Sequence, residues 1–208
     1  FQQRLIRQKQ KISSYNNEWK LKLSKIDTVL LTHGHLDHIG GLLPMIHSMG
    51  LDGRKKELNI FGPARNEKEK TPLDLENQFE IMKQMGATEK ILGYPINFKL
   101  VNPNQNQKII LSNTGLEGIA YSTHHKVQSC AWKIQTPIRR GTINGPLLDK
   151  LSFSNSERAE LFEKGRLVRK DGKKYLEEDF KGKTKRGLSV VISGDTSGYN
   201  CDIDKIKS

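Results

Sequence analysis

Residues 28–43 read T-V-L-L-T-H-G-H-L-D-H-I-G-G-L-L. A short β-prone apolar run, Val29 to Leu31, ends in Thr32, and His33, His35, Asp37 and His38 follow within six residues. Imidazole and carboxylate are the ligands that borderline divalent metals such as zinc take. His33 and His35 are two apart, so just past a strand end they can point the same way. Asp37 and His38 come after a turn and can aim at a second point nearby. A chain with this pattern is constrained to end a strand at a polar cluster that can serve two adjacent metal ions.

The H-x-H-x-D-H order resembles the metallo-β-lactamase superfamily, whose motif it matches at all four positions. That superfamily includes lactamases, glyoxalase II, sulfatases and nucleases of RNA and DNA, and the motif alone does not choose among them.

The rest of the chain narrows the choice. Its 208 residues suffice for one sizeable domain with a real core, or a domain plus an appendage. No run approaches the roughly 20 apolar residues of a membrane span, and the N-terminus has no apolar stretch of the secretory type. Two cysteines, Cys130 and Cys201, do not suggest a disulfide framework, so the expected setting is reducing: the cytoplasm, or an organelle stroma or matrix. The net charge is +12. From Arg139 to Gly187 there are 14 Lys and Arg against 8 Asp and Glu, a net of +6. A quarter of the chain thus holds half the excess, which favours a local contact with a polyanion.

In chain order, residues 1–23 look helical and polar. Ile39 to Ser48 reads as a short helix with Pro44 interrupting it or in its first turn. Leu58 to Phe61 is a short strand stopped by Gly62-Pro63. Pro72 to Met85 has helical periodicity, with Gly86 suited to its C-terminal cap. Runs at Ile96 to Val101, Lys108 to Leu111 and Leu116 to Thr123 read as an antiparallel meander. Thr123-His124-His125, ahead of the strand-like run Cys130 to Ile134, offers a distant third nitrogen ligand. Residues 138–187 are basic, Gly-rich and poor in long apolar runs, and read as a protruding arm with a helix over Ser156 to Lys164 and a hairpin over Arg166 to Tyr175. Leu188 to Ser193 reads as a buried strand. It runs into Gly194-Asp195-Thr196, which places a carboxylate to bridge two cations.

Three features together resemble ribonuclease Z, the tRNA 3′-end endonuclease family. They are the K-I-D-x-(apolar)₃-T lead-in at Lys25 to Thr32 with its histidine motif; His125 followed by K-V-Q-S-C-A-W-K-I; and, over 138–195, N-G-P at 144–146, D-G at 171–172, E-D-F at 178–180, Arg186-Gly187 and S-V-V-I-S-G-D-T at 189–196. The resemblance implies an α/β fold, the metallo-β-lactamase αββα sandwich with a protruding basic arm, divided as core 1–137, arm 138–187 and core continued 188–208. It implies two Zn²⁺ per active site, with Mn²⁺ as a substitute. His33, His35 and His125 would bind one, Asp37 and His38 the other, and Asp195 would bridge them. Asp37 would also be the catalytic base. Arg139, Arg140, Gly145, Pro146, Lys183, Lys185 and Arg186 would bind precursor tRNA, and the short form of the family would be a homodimer with no membrane partner. The family's N-terminal Gly-rich hairpin, its H-E-A-T-type motif and its last ligand histidine find no match, so a chain truncated at both ends is the expectation. The alternatives are another hydrolase of this fold, ribonuclease J-like or glyoxalase II-like, and a tRNA-binding module with an incomplete site.

Overall fold

The computed structural model describes residue 8 and residues 22–65, 71–111, 115–139 and 141–197. The helix expected over 1–23 therefore lies almost entirely outside the described residues. The chain divides into two compact units, one comprising residues 1–134 and 190–208, the other residues 135–189.

The first unit is built on two sheets. Strands β1 (Thr28–Leu30), β2 (Leu58–Pro63) and β3 (Ile96–Val101) form a parallel sheet in that order. Parallel neighbours need long crossovers. These are helices α1 (Leu36–Ile39) and α2 (Leu42–Leu51) before β2, and α3 (Leu75–Gln84) and α4 (Glu89–Leu92) before β3. The second sheet has the order β4 (Lys108–Ile110), β5 (Glu117–Thr123), β6 (Ser129–Gln135) and, from late in the chain, the ninth strand β9 (Ser189–Ile192).

Strict alternation sets the layers. Leu58 and Ile60 of β2 join Val29, Leu31, Ile96, Phe98 and Leu100 on one face, under Met45, Ile46 and Met49 of α2 and Phe79 and Met82 of α3. On the other face Phe61, Leu30 and Val101 meet Ile109, Ala120, Cys130 and Trp132 of the second sheet. Each fully buried side chain of this kind contributes about 1.5–3 kcal/mol. Helices, parallel sheet and second sheet thus stack as three layers of the αββα sandwich. No helical layer covers the far side of the second sheet among the described residues.

Four sequence expectations change. Ile96 to Val101 is not part of an antiparallel meander: it pairs parallel with β2, because α3 and α4 return the chain in the same direction. The helix expected over Ile39 to Ser48 is broken at Gly40-Gly41, and Pro44 sits in the first turn of α2, where its missing N–H costs nothing. The next helix starts at Leu75 rather than Pro72, because the Asp74 carboxylate accepts the Thr71 N–H at 2.8 Å and holds a turn ahead of it. Finally, the apolar run at 188–193 is exposed rather than buried: Leu188, Val190, Val191 and Ile192 are 82, 54, 42 and 52% accessible. β9 is an edge strand, and no described element covers it.

The second unit, poor in long apolar runs, nevertheless has a core of its own. Leu148, Phe153, Leu161, Leu167 and Phe180 are buried together. They come from α5 (Gly145–Lys150), α6 (Asn155–Lys164), β7 (Arg166–Val168), the loop residue Phe153 and the 3₁₀ turn Glu177–Phe180, with β8 (Lys174–Leu176) pairing antiparallel to β7. A reciprocal capping box between Ser154 and Glu157 starts α6. Arg169 locks the assembly. It bonds the Glu157 carboxylate at 2.8 Å and the Leu151 carbonyl at 3.0 Å, and its guanidinium lies 4.4 Å from the Phe153 ring centre. The two connecting segments run antiparallel, bridged at Arg139–Lys185 and Ile143–Lys181. No helix among the described residues is long and apolar enough to cross a membrane.

Candidate metal centre

The site grows from the end of β1, which is pinned on both sides. Leu31 N–H donates to the Phe61 carbonyl at 2.8 Å. From β6, Cys130 N–H donates to the Thr32 carbonyl at 2.9 Å and the buried Trp132 indole to the Leu31 carbonyl at 2.8 Å. His33 follows, completely buried. Its Nδ1 lies 3.1 Å from the Thr32 hydroxyl, so Nε2 is the nitrogen turned to the cluster. His35 then caps α1, whose single turn carries Asp37 and His38 and is anchored by buried Ile39. The loop can run here only because residue 34 is glycine: a Cβ would lie 1.8 Å from the Leu73 carbonyl oxygen.

Two distant segments complete the cluster. The loop between β5 and β6 is closed by the Thr123 and Ser129 hydroxyls, 2.7 Å apart, and delivers His125. After β9, Gly194 adopts φ +62° against Thr32, where a Cβ would fall 2.7 Å from the threonine Cβ, and this close approach delivers Asp195.

His33 Nε2 and His125 Nε2 each lie 3.1 Å from His35 Nδ1. Ligand nitrogens on a tetrahedral zinc are about 3.3 Å apart when Zn–N is 2.0–2.1 Å, so this triad fits such an ion. A second group overlaps it: His33, His38 and Asp195 offer ligand atoms all within 4.8 Å of one another, with His38 Nε2 3.5 Å from Asp195 Oδ1. Of the sequence-derived ligands, five fall into these groups. Asp37 does not: its side chain is 78% exposed, and its Oδ2 lies 3.5 Å from His38 Nε2. Burial first, then the neighbouring His38, His125 and His35, push the His33 pKa down to about 4. A neutral imidazole at pH 7 keeps its lone pair available for a cation. Cys130 lies close by in sequence, but burial pushes its thiol well up, so no thiolate is available.

In the second unit, Arg139, Lys183, Lys185 and Arg186 are exposed and take part in none of the ion pairs among the described residues. Five of the eight acids between residues 139 and 187 pair with other cations: Asp149 with Arg158, Glu157 with Arg169, Glu160 with Lys164, Asp171 with Lys173 and Glu177 with Lys181. Gly145 and Pro146 open α5, where Asn144 Oδ1 accepts the Leu147 N–H at 3.1 Å. Arg140 lies outside the described residues.

A parallel sheet stacked on a second sheet, with a histidine-rich loop past the first strand, frames the site, and residues 4–103 match the description "Metallo-beta-lactamase superfamily". That stretch carries a metallo-beta-lactamase domain, and the chain has the metallo-beta-lactamase fold. The chain is similar to proteins named ribonuclease Z: 31% identical over 177 residues to that of Staphylococcus epidermidis, and 31% over 188 residues to that of Listeria welshimeri. Each alignment covers 85% of this chain and 53% of the relative. The chain thus spans about half the length of these relatives. Among solved structures it is similar to human tRNase Z, short form (TM-score 0.42, 17% identity, 60% of this chain and 50% of that one), and to the metallo-beta-lactamase fold protein YhfI of Bacillus subtilis (0.39, 23%, 55% and 38%).

Several supporting residues do not emerge from motif reading. Trp132 and Cys130 brace the strand end, Thr32 orients His33, and Ser197 touches His124. Trp132 carried one signal: a tryptophan in an apolar strand needs a partner for its N–H. The others make contacts set by tertiary placement.

Proposed function

We propose that this chain belongs to a zinc-dependent endoribonuclease that removes 3′ trailers from precursor tRNA. It would leave a 3′-OH on the tRNA and a 5′-phosphate on the trailer. The observation that carries the reading is the pair of overlapping donor groups sharing His33, in a chain whose other unit presents unpaired cations. Two bound divalent ions, zinc or manganese, would lower the pKa of a water and stabilise charge on the phosphoryl oxygens.

The chain's own groups have separable parts in this reading. His33, His35 and His125 hold one ion. His38 and Asp195 serve the other, with Asp195 shared between the two. Asp37, exposed beside His38, is the acceptor for the attacking water's proton at its carboxylate oxygen. Arg139, Arg140, Lys183, Lys185 and Arg186, with Gly145 and Pro146, grip the tRNA through phosphates. That gives shape recognition and steep salt dependence rather than base reading. A homodimer is proposed on the sequence pattern, since one chain holds both the basic arm and the histidine motif, and the sparse cysteines favour a reducing compartment, cytoplasmic or organellar.

The test is 3′-end mapping of a trailer-bearing precursor tRNA incubated with the purified protein and zinc or manganese, beside Asp37→Ala. A single metal-dependent cut just after the discriminator base, lost in the variant, is the expected result. RNA retained without cleavage would leave a binding module. Neither cleavage nor RNA binding would redirect the assignment to hydrolases of small substrates.

A further inference from the structure

The reading above uses His125 and Asp195 and assigns nothing to the residues around them. Between the loop at 124–126 and the loop at 194–197 lies a cavity of about 650 Å³, and His125 and Asp195 both form part of its wall. The cavity therefore opens beside the metal cluster. Its other walls come from groups that bind no metal in either donor group.

Those groups are held in place. Ser197 clasps the two loops together: its N–H donates to the His124 carbonyl at 3.0 Å, and its Oγ lies 2.9 Å from His124 Nδ1. The second contact fixes the rotation of the imidazole and leaves Nε2 as the open ring nitrogen. Lys126, on the other side of His125, is exposed and lines the cavity, and it takes part in none of the ion pairs among the described residues. Exposed groups of the described residues at the cluster include the carboxylates Asp37 and Asp195, His38 and the apolar Leu36. A polyanionic strand reaching this site meets two acids, and Lys126 on the 124–126 loop offers a cation that can offset them. An ammonium is a point charge that grips a phosphate without demanding one geometry.

We propose that this cavity is a second phosphate subsite, which holds the RNA phosphate next to the scissile one between Lys126 Nζ and His124 Nε2. The inference rests on the endoribonuclease reading and deepens it. It sets the path of the strand through the site: across Lys126 and away from Asp37. Ser197 acts as a positioning residue, since it reaches the RNA only through His124.

The experiment uses the zinc-loaded protein with precursor tRNA and compares Lys126→Gln, Lys126→Arg and His124→Ala with wild type. Affinity is measured over a series of salt concentrations, with zinc content measured in parallel. Lys126→Gln is expected to weaken RNA binding about tenfold and to lower the slope of log affinity against log salt by about 0.7, the value for one phosphate contact on a single strand. Lys126→Arg is expected to restore both, and His124→Ala to weaken binding without changing the slope. Inorganic phosphate is expected to inhibit wild type more than Lys126→Gln. Lys126→Gln binding RNA with wild-type affinity and slope would overturn the subsite while leaving the endoribonuclease reading intact. Wild type that neither binds nor cuts precursor tRNA would overturn both. Loss of zinc from Lys126→Gln would show that the lysine supports the metal loop instead, and would also overturn the subsite.

Discussion

Gly34 lies between the two histidines that share the shortest ligand contacts, and its replacement by alanine tests the geometry of the centre most directly. The added Cβ would lie 1.8 Å from the Leu73 carbonyl oxygen and 3.0 Å from its carbon. Carbon and carbonyl oxygen approach no closer than about 3.3 Å without strain, so the two segments must part by about 1.5 Å. Both are backbone, and neither can swing aside as a side chain could. Overpacking of this kind costs about 1–3 kcal/mol, which for a chain of this size lowers the Tm by roughly 2–12 °C. The larger effect falls on the metal. Ligand positions must hold to about ±0.2 Å, and a shift shared between His33 and His35 opens the 3.1 Å contact between them. Zinc affinity is expected to fall at least 10–100-fold, the loss seen when the groups supporting a ligand are removed. Competition against a chromophoric chelator measures the affinity, and thermal denaturation of the metal-free protein measures the stability. Gly34→Ala that keeps wild-type zinc affinity would refute the claim that this close approach sets the histidine geometry.

Two further outcomes follow from the same structure. His33 has its pKa lowered to about 4 in the folded chain against the ordinary histidine value of 6.5. The unfolded state therefore binds more protons between these values, and stability rises with pH through that window. Metal-free protein is expected to lose stability in urea as the pH falls from 6.5 to 4, by about 3 kcal/mol at most; His33→Asn should flatten this part of the profile, and an unchanged profile would contradict the burial-driven shift. In the second unit, Arg169→Met removes the ion pair with Glu157, the carbonyl contacts and the guanidinium over Phe153. Limited proteolysis is expected to cleave within 145–180 faster than in wild type while zinc content stays unchanged, and equal loss of both would mean that the unit has no independent core.

Much of this protein was legible from residue order. His33, His35, Asp37 and His38 follow a β-prone run, and local chain geometry alone could bring them near one point. His125 and Asp195 stand out because each follows a strand-forming run, and strands of stacked sheets end at shared edges. The helix expected over Ser156 to Lys164 forms as Asn155–Lys164, and the Ser154 and Glu157 capping pair that the structure shows at its start is an interaction local in sequence.

What order could not decide was which strand neighbours which and what covers it. The run at 96–101 reads the same whether it pairs antiparallel with its successor or parallel with β2, because strand pairing depends on the path of the intervening chain. The run at 188–193 has the composition of a buried strand, yet it lies exposed at an edge: exposure is a property of neighbours, not of the residues themselves. The same holds at the centre. Residue order fixes the donor types and their spacing, because imidazoles and carboxylates past a strand end are a local pattern. Packing between distant segments is what puts His33 in both donor groups, leaves Asp37 outside them, and makes Trp132, Gly34 and Ser197 hold the loops in place. Those facts depend on distances between segments about 40 to 160 residues apart, and such distances are set by packing rather than by order along the chain.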